Sequence, residues 1–398
     1  MLQQRLGGLD GGQVRLTDVE GTWHLQGDGD AVIDLTVHSG RFYRRVLFGG
    51  ALGAAASYID GDWDCNALAA LLRLLLRNQQ HTGRFDRGAA GPMATIARAA
   101  QAIRANTRTG SRRNIRDHYD LGNELFRLFL DDSMTYSAGL FETADASLEQ
   151  AQTAKLDRIC RKLDLQADHH VLEIGTGWGS FALHAARHYG CRVTTTTIST
   201  QQYELARERV QAAGLEDRVE VLAQDYRDLS GQYDRLVSIE MIEAVGADYL
   251  ARFFRHCSER LRPEGAMLLQ VITTGEADYP RYRRSVDFIQ RYVFPGSHCP
   301  APSALFAAIA SPGDLRPVHL EDIGEHYVET LRHWRSRFQA ATDSVRGLGY
   351  PERFLRLWDY YLQYCEAGFA EHHIGDLQLY LAKPDHPTPT LTASRSAR

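Results

Sequence analysis

The chain has 398 residues, 44% of them hydrophobic and 24% charged, with a net charge of −5. That mix fits one large globular domain plus a smaller one, and the acidic balance argues against a dedicated nucleic-acid binder. No apolar run approaches the roughly 20 residues that span a bilayer. The first ten residues lack the apolar core of a signal peptide. The six cysteines are scattered, with no Cys-x-x-Cys pair, which suits neither a zinc site nor a disulfide framework and points to a cytoplasmic protein. Among sixteen histidines, His184 and His188 come closest to metal-ligand spacing, but without a carboxylate partner they read as a solvated or half-buried pair.

In chain order, Gln13–Leu16 and Val32–Val37 alternate and are separated by Gly/Asp clusters, as short strands are. Leu68–Leu76 is a strongly apolar helix that completes a small N-terminal domain over 1–90. Residues 91–116 carry six arginines and no acid around Ile96, Ala99, Ala100 and Ile103, a basic amphipathic helix and linker. A solvated connecting helix is the plainer explanation, and contact with anionic lipid headgroups the sharper one.

A larger domain follows over 117–385, with a short disordered tail from 386. Strands are predicted at Val171–Ile174, Arg192–Ile198, Val219–Leu222, Arg235–Ile239 and Ala266–Ile272, with helices at Ser180–His188, Gln201–Ala213 and Tyr249–Leu261. Such alternation implies a mostly parallel sheet covered on both faces, an α/β fold. Between Thr273 and Pro302 the pattern gives way to an aromatic, Pro/Gly-punctuated excursion, and loops of that length tend to be functional. A helix near Ser303–Ala310, a strand near Val318–Glu321, long helices from Tyr327 to about Ala370 and a strand at Gln378–Ala382 complete the domain.

Val171-Leu-Glu-Ile-Gly-Thr-Gly-Trp-Gly179 is the most informative stretch. An apolar strand ends in an acid, and alternating glycines then let backbone approach a ligand before a helix begins. The pattern is not Gly-x-Gly-x-x-Gly and no Gly-Lys-Ser/Thr follows, so a phosphate cradle is not indicated. Glu173 would repel a pyrophosphate and suits a cationic or hydroxyl-rich ligand such as S-adenosylmethionine (SAM). Thr197 and Gln202, after the second strand, could bind hydroxyls or the amino-acid end, or merely reflect the β-propensity of threonine. Asp225 and Tyr226 offer a carboxylate and a ring for an adenine. Glu240 and Glu243 sit at the end of the fourth strand, where one could bind a small polar species or transfer a proton. Favourable charge at a helix N-terminus is the structural alternative.

In order along the chain, His118–Phe126, Tyr136–Phe141, Val171–Gly179, Thr197–Gln202, Gln224–Asp228, Met241–Gly246, Tyr292–Gly296 and Glu321–Tyr327 closely resemble the cyclopropane-fatty-acyl-phospholipid synthases and their mycolic-acid relatives. The resemblance runs from about residue 10 to 383, and Gly53–Cys65 looks like the end of the small lipid-binding domain of the longer members. It implies a Rossmann-like class I SAM-dependent methyltransferase fold and transfer of a methylene group to cis double bonds of phospholipid acyl chains. The enzyme would be peripheral at the inner membrane face, and homodimers occur in the family.

Carried over by position, Tyr136, Ser137, Glu173, Gly175, Gly177, Gly179, Thr197, Ile198, Gln202, Asp225 and Tyr226 would hold SAM. A bicarbonate ion, the family's proton acceptor, would lie among the backbone of Ala138 and Ile272 and the side chains of Glu243, Gln270 and Tyr327. No metal is implied. Tyr282, Tyr292, Phe294 and Tyr327 are candidates to stabilise a carbocation. Ala138 stands where the family has Cys and Gln270 where it has His, which removes a proton-shuttling imidazole. Both departures fall at deprotonation. They leave open a methyl-branched or methylene product, or a silent lipid- or cofactor-binding homologue.

Overall fold

The structure, a computed structural model, describes residues 9–25, 27–29, 31–79, 121–311 and 313–387. The predicted basic helix at 91–116, His118–Asp120 and residues 388–398 of the tail lie outside the described residues.

The N-terminal strands β1 (Gln13–Asp18), β2 (Gly21–Leu25), β3 (Val32–Val37) and β4 (Trp63–Cys65) form a sheet in the order β2-β1-β3-β4. Alternation sends Val14, Leu16, Ile33, Leu35 and Val37 to its buried face. Between β3 and β4 runs α1 (Arg41–Ile59), which the glycines at 49, 50 and 53 argue against in the sequence. Gly50 interrupts it at φ 55, ψ −138. Gly53 fits because a Cβ there would meet the Arg45 carbonyl oxygen at 1.9 Å. Helix α2 (Leu68–Arg77) buries Leu68, Leu71 and Leu74.

The larger unit opens with α3 (Asn123–Arg127) and α4 (Leu148–Lys162). Helix α4 starts at a capping box, in which the Ser147 Oγ accepts from Gln150 N at 3.2 Å and Gln150 Oε1 accepts from Ser147 N at 2.8 Å. Then come β5 (His170–Ile174), α5 (Ser180–Tyr189), β6 (Arg192–Thr196), α6 (Thr200–Ala212), β7 (Val219–Leu222), β8 (Tyr233–Ile239), α7 (Leu250–Arg260) and β9 (Leu261–Thr274). Two short helices, α8 (Tyr279–Tyr282) and α9 (Phe288–Tyr292), occupy the aromatic excursion. The chain finishes with α10 (Pro302–Ala310), β10 (Arg316–Asp322), α11 (Gly324–Ala340), α12 (Thr342–Gly347), α13 (Glu352–Ala370) and β11 (Ile374–Ala382).

The seven strands lie in the order β10-β11-β9-β8-β5-β6-β7. Strands β7, β6, β5, β8 and β9 are parallel, and β11 inserts antiparallel to both β9 and β10. The sequence order reverses at β5, so a crevice opens beyond its carboxyl end, where open α/β sheets bind ligands. One face buries Phe253, Leu269 and Leu379, and the other Ile159, Phe181 and Leu268. Strand β6 ends at Thr196, two residues before the predicted limit, which frees Thr197 and Ile198 to line the crevice.

The small N-terminal unit docks on α13. Ala69 N donates to Gln363 Oε1 at 3.0 Å, and the Nε atoms of Arg73 and Arg77 each reach Glu371 at 2.6 Å. The Arg356 guanidinium lies 4.2 Å from the Tyr58 ring centroid and donates to the Tyr58 and Trp63 carbonyls. Among the described residues no helix is long and apolar enough to cross a membrane.

Candidate active site

Beyond β5 the chain turns through Gly175, Gly177 and Gly179 at φ 104, 52 and 88. These left-handed angles are what a side chain resists, and at Gly175 a Cβ would also meet Met241 at 3.0 Å. The turn forms one wall of a cavity of about 460 Å³, which is also lined by Tyr136, Ser137, Glu173, Thr197, Ile198, Gln202, Asp225 and Tyr226. All but one of the residues predicted to hold SAM therefore converge. Gly179 lies behind the turn and shapes it without reaching the cavity wall.

Glu173 is buried and accepts from Thr195 Oγ1 at 2.6 Å. Burial pushes its carboxyl up to about 8, against the pull of the Thr195 hydroxyl and the Lys155 charge. A cationic ligand here would keep the carboxylate ionised, so the site fits a sulfonium compound carrying an amino group. Thr197 Oγ1 donates to Gln202 Oε1 at 2.9 Å, which fixes both side chains at the mouth of β6. Asp225 is already paired with Arg227 at 2.6 Å and caps the turn that follows it.

Lys155 was not singled out in the sequence. It is fully buried on α4, and its Nζ donates to Ser137 Oγ at 2.7 Å. Gln152 Nε2 donates to the Ser137 carbonyl at 2.8 Å. Burial drops the Lys155 ammonium to about 8, while the charges of Glu240, Asp376, Asp131 and Glu173 hold it up. The signal was a lysine on the stripe that also carries Ala151 and Ile159, in a chain with only three lysines.

The groups assigned to a bicarbonate ion are also brought together, but around protein carboxylates. Ala138 N donates to Glu240 Oε1 at 2.9 Å, Gln270 Nε2 to the same oxygen at 2.8 Å, and the Tyr327 hydroxyl to Glu240 Oε2 at 2.6 Å. Ile272 N donates to Glu243 Oε1 at 2.6 Å. The anion's predicted donors are engaged by Glu240 and Glu243, so the arrangement does not fit a free bicarbonate. Gln270 also donates to Asp376 Oδ2 at 2.8 Å and so bridges two carboxyl groups. Burial, reinforced by Glu240 and Glu243, raises Asp376 well above the usual carboxylate range. Burial likewise raises Glu240 and carries Glu243 to about 8. Asp376 gave no sequence signal, because it precedes the predicted strand at Gln378–Ala382, which in the structure begins at Ile374.

Aromatic rings close the far side. Tyr282, Phe294 and Tyr327 line the cavity as anticipated, whereas Tyr292 packs on Phe288 at 5.5 Å and is not among the lining residues. Tyr361 and Phe369 of α13 join them. The Tyr361 hydroxyl lies 2.9 Å from that of Tyr136, and the Tyr327 ring stacks on Phe369 at 4.4 Å.

A glycine turn after the central strand, an acid before it and an antiparallel strand inserted near one sheet edge define a class I SAM-dependent methyltransferase. Residues 106–379 match the family described as mycolic acid cyclopropane synthetase. The chain is 38% identical over 355 residues to tuberculostearic acid methyltransferase of Mycobacterium tuberculosis, covering 86% of this chain and 82% of that one. It is also 38% identical over 360 residues to cyclopropane-fatty-acyl-phospholipid synthase of Escherichia coli, covering 89% and 88%. Among solved structures, a mycolic acid cyclopropane synthase complexed with SAH and CTAB superposes with a TM-score of 0.64 at 28% identity, over 68% of this chain and 98% of that one. The chain belongs to the mycolic acid cyclopropane synthetase family of SAM-dependent methyltransferases.

Proposed function

We propose that this enzyme transfers the SAM methyl group to a cis double bond in an unsaturated phospholipid acyl chain, taken from the inner membrane face, and closes a cyclopropane. The observation that carries the reading is one cavity that runs from the glycine turn and Glu173 to the rings of Phe294, Tyr327 and Tyr361. Its cofactor end is polar and its far end is aromatic, as a sulfonium donor and a hydrocarbon acceptor require.

When bound, the cofactor supplies an electrophilic methyl. An isolated alkene is a poor nucleophile, so rate depends on holding it in line and dry. Glu173, Ser137, Gln202 and Asp225 fix the donor, and the rings hold the chain. Attack leaves positive charge on the second alkene carbon, which Tyr327, Phe294 and Tyr361 stabilise through their π faces. Loss of a proton from the transferred methyl then closes the ring.

A second reading follows from Ala138, Gln270 and the engagement of the predicted anion donors by Glu240. If hydride shifts to the cation before the methyl loses its proton, the product is an exomethylene chain. The likeness to a tuberculostearic acid methyltransferase supports this branch. The test is transfer of labelled methyl into vesicles of a monounsaturated phospholipid, with a gain of one CH₂ per alkene. Proton NMR separates ring protons, which lie far upfield, from vinylidene protons. No label in lipid would remove both readings.

A further inference from the structure

Glu240 follows β8 with φ 45, one of four non-glycine residues at positive φ among those described. An ordinary side chain resists that conformation, and it persists only where its surroundings impose it. Here they do. The backbone N–H of Glu240 donates to the Gln270 carbonyl at 2.9 Å, and its carboxylate receives the Ala138 N–H, the Gln270 amide and the Tyr327 hydroxyl. The carboxylate lines the cavity that holds the reacting groups. Its donors are those the family resemblance assigns to a free anion.

We infer that Glu240 is the resident proton acceptor of the reaction, a covalently attached carboxylate in place of an exchangeable bicarbonate. The inference rests on the proposed alkene methylation and deepens it. In the step, a C–H bond of the transferred methyl breaks. Its electron pair becomes the ring-closing C–C bond or, after a hydride shift, the exomethylene C=C bond. The proton moves to a Glu240 carboxylate oxygen and leaves to solvent before the next turnover. Gln270 and Asp376 are positioning residues. The Gln270 amide holds Glu240 Oε1, and its second contact ties it to Asp376. Burial beside Glu240 and Glu243 pushes Asp376 well above the usual carboxylate range and so favours its neutral form, while the Tyr327 hydroxyl, the Ala138 N–H and the Lys155 charge favour the ionised form of Glu240.

The experiment follows methyl transfer to unsaturated phospholipid vesicles in carbon-dioxide-free buffer, with and without added bicarbonate. Wild-type rates should agree within about twofold. Glu240→Gln keeps the shape and loses the base, so turnover should fall by more than about a hundredfold while SAH binding, read by calorimetry, is unchanged. Glu240→Gly relieves the positive φ and clears the space among the donors. It loses stability through the donors left unpaired, and bicarbonate, by taking their place as acceptor, should restore part of its activity. A wild-type rate that collapses without bicarbonate and returns with it overturns the inference, as does Glu240→Gln turning over like wild type while Glu243→Gln is dead. A wild type that methylates no lipid in either buffer refutes the proposed function itself, which separates the two failures.

Discussion

The Lys155 ammonium donates to the Ser137 hydroxyl at 2.7 Å, deep beneath the cofactor end of the cavity. It is the buried cation that faces Glu173, Glu240 and Asp376. Removing it leaves buried carboxylates uncompensated and Ser137 unanchored. Lys155→Met should cost about 2–4 kcal/mol of stability, toward the lower part of the range for breaking a buried pair because the direct contact is to a hydroxyl. Denaturant unfolding checks the stability. The acid limb of the pH–rate profile should also move to higher pH, an effect that simple loss of packing would not produce.

Glu173 links cofactor binding to protons. Its folded value of about 8 lies above the ordinary 4.5, so the folded apoenzyme binds more protons than the unfolded chain between those values. Stability therefore falls as pH rises through that window. Glu243, also at about 8, acts in the same direction. A sulfonium beside Glu173 favours its ionised form, so SAM binding near neutral pH should release protons. Calorimetry in two buffers of different ionisation enthalpy reads this directly, and Glu173→Gln should abolish the release and weaken binding.

The turn itself makes a stability prediction. Gly175→Ala places a Cβ at φ 104 and 3.0 Å from Met241. It should destabilise the fold by about 1–3 kcal/mol and raise the SAM dissociation constant, with the larger loss in binding. Gly177→Ala meets no atom within 4 Å, so its cost is conformational alone and smaller.

Catalysis at saturating SAM should lose rate on the acid side at a pH above that of an ordinary carboxylate, because burial raises Glu240. Lys155, Tyr327 and Gln270 oppose that rise, and Glu243, Asp376 and Tyr361 also face the group. Activity should climb with pH as Glu240 ionises. Saturating cofactor separates this limb from the titration of Glu173.

The aromatic wall is testable through the split between binding and turnover. Phe294 lies 6.5 Å from Tyr136 and 6.3 Å from Tyr361, centroid to centroid. Phe294→Leu keeps an apolar surface and removes the π face, so kcat should drop by about 3–30-fold, equivalent to roughly 0.7–2 kcal/mol of lost cation–π stabilisation. SAM affinity should hold.

The glycine turn, its acid and the strand–helix alternation were legible because each rests on local chemistry. Period and glycine placement specify them with few alternatives. Helix α4 was also written in the sequence, in the Ser147–Gln150 capping box, yet its Lys155 on the apolar stripe obscured the reading. Helix α1 was hidden by its glycines, of which Gly53 allows the close approach of the Arg45 carbonyl and Gly50 the positive φ at the kink, both tertiary properties. Local chemistry did not separate Glu240 from Glu243, since both follow the same strand, and the family resemblance singled out Glu243 alone. Only the positive φ at Glu240 and the approach of Ala138, Gln270 and Tyr327 from distant segments distinguish them. Asp376 acquires its meaning from β11 pairing with β9, where it lies opposite Ile272. No local pattern announces that.

The most direct measurement is mass spectrometry of two vesicle preparations, one of a cis-monounsaturated phospholipid and one of its saturated counterpart, after incubation with the enzyme and SAM carrying a deuterated methyl. One labelled one-carbon unit per alkene is expected, with one deuterium lost to the base, and nothing in the saturated lipid. Label in saturated chains or in headgroups, or retention of all three deuterons in the lipid, would contradict it.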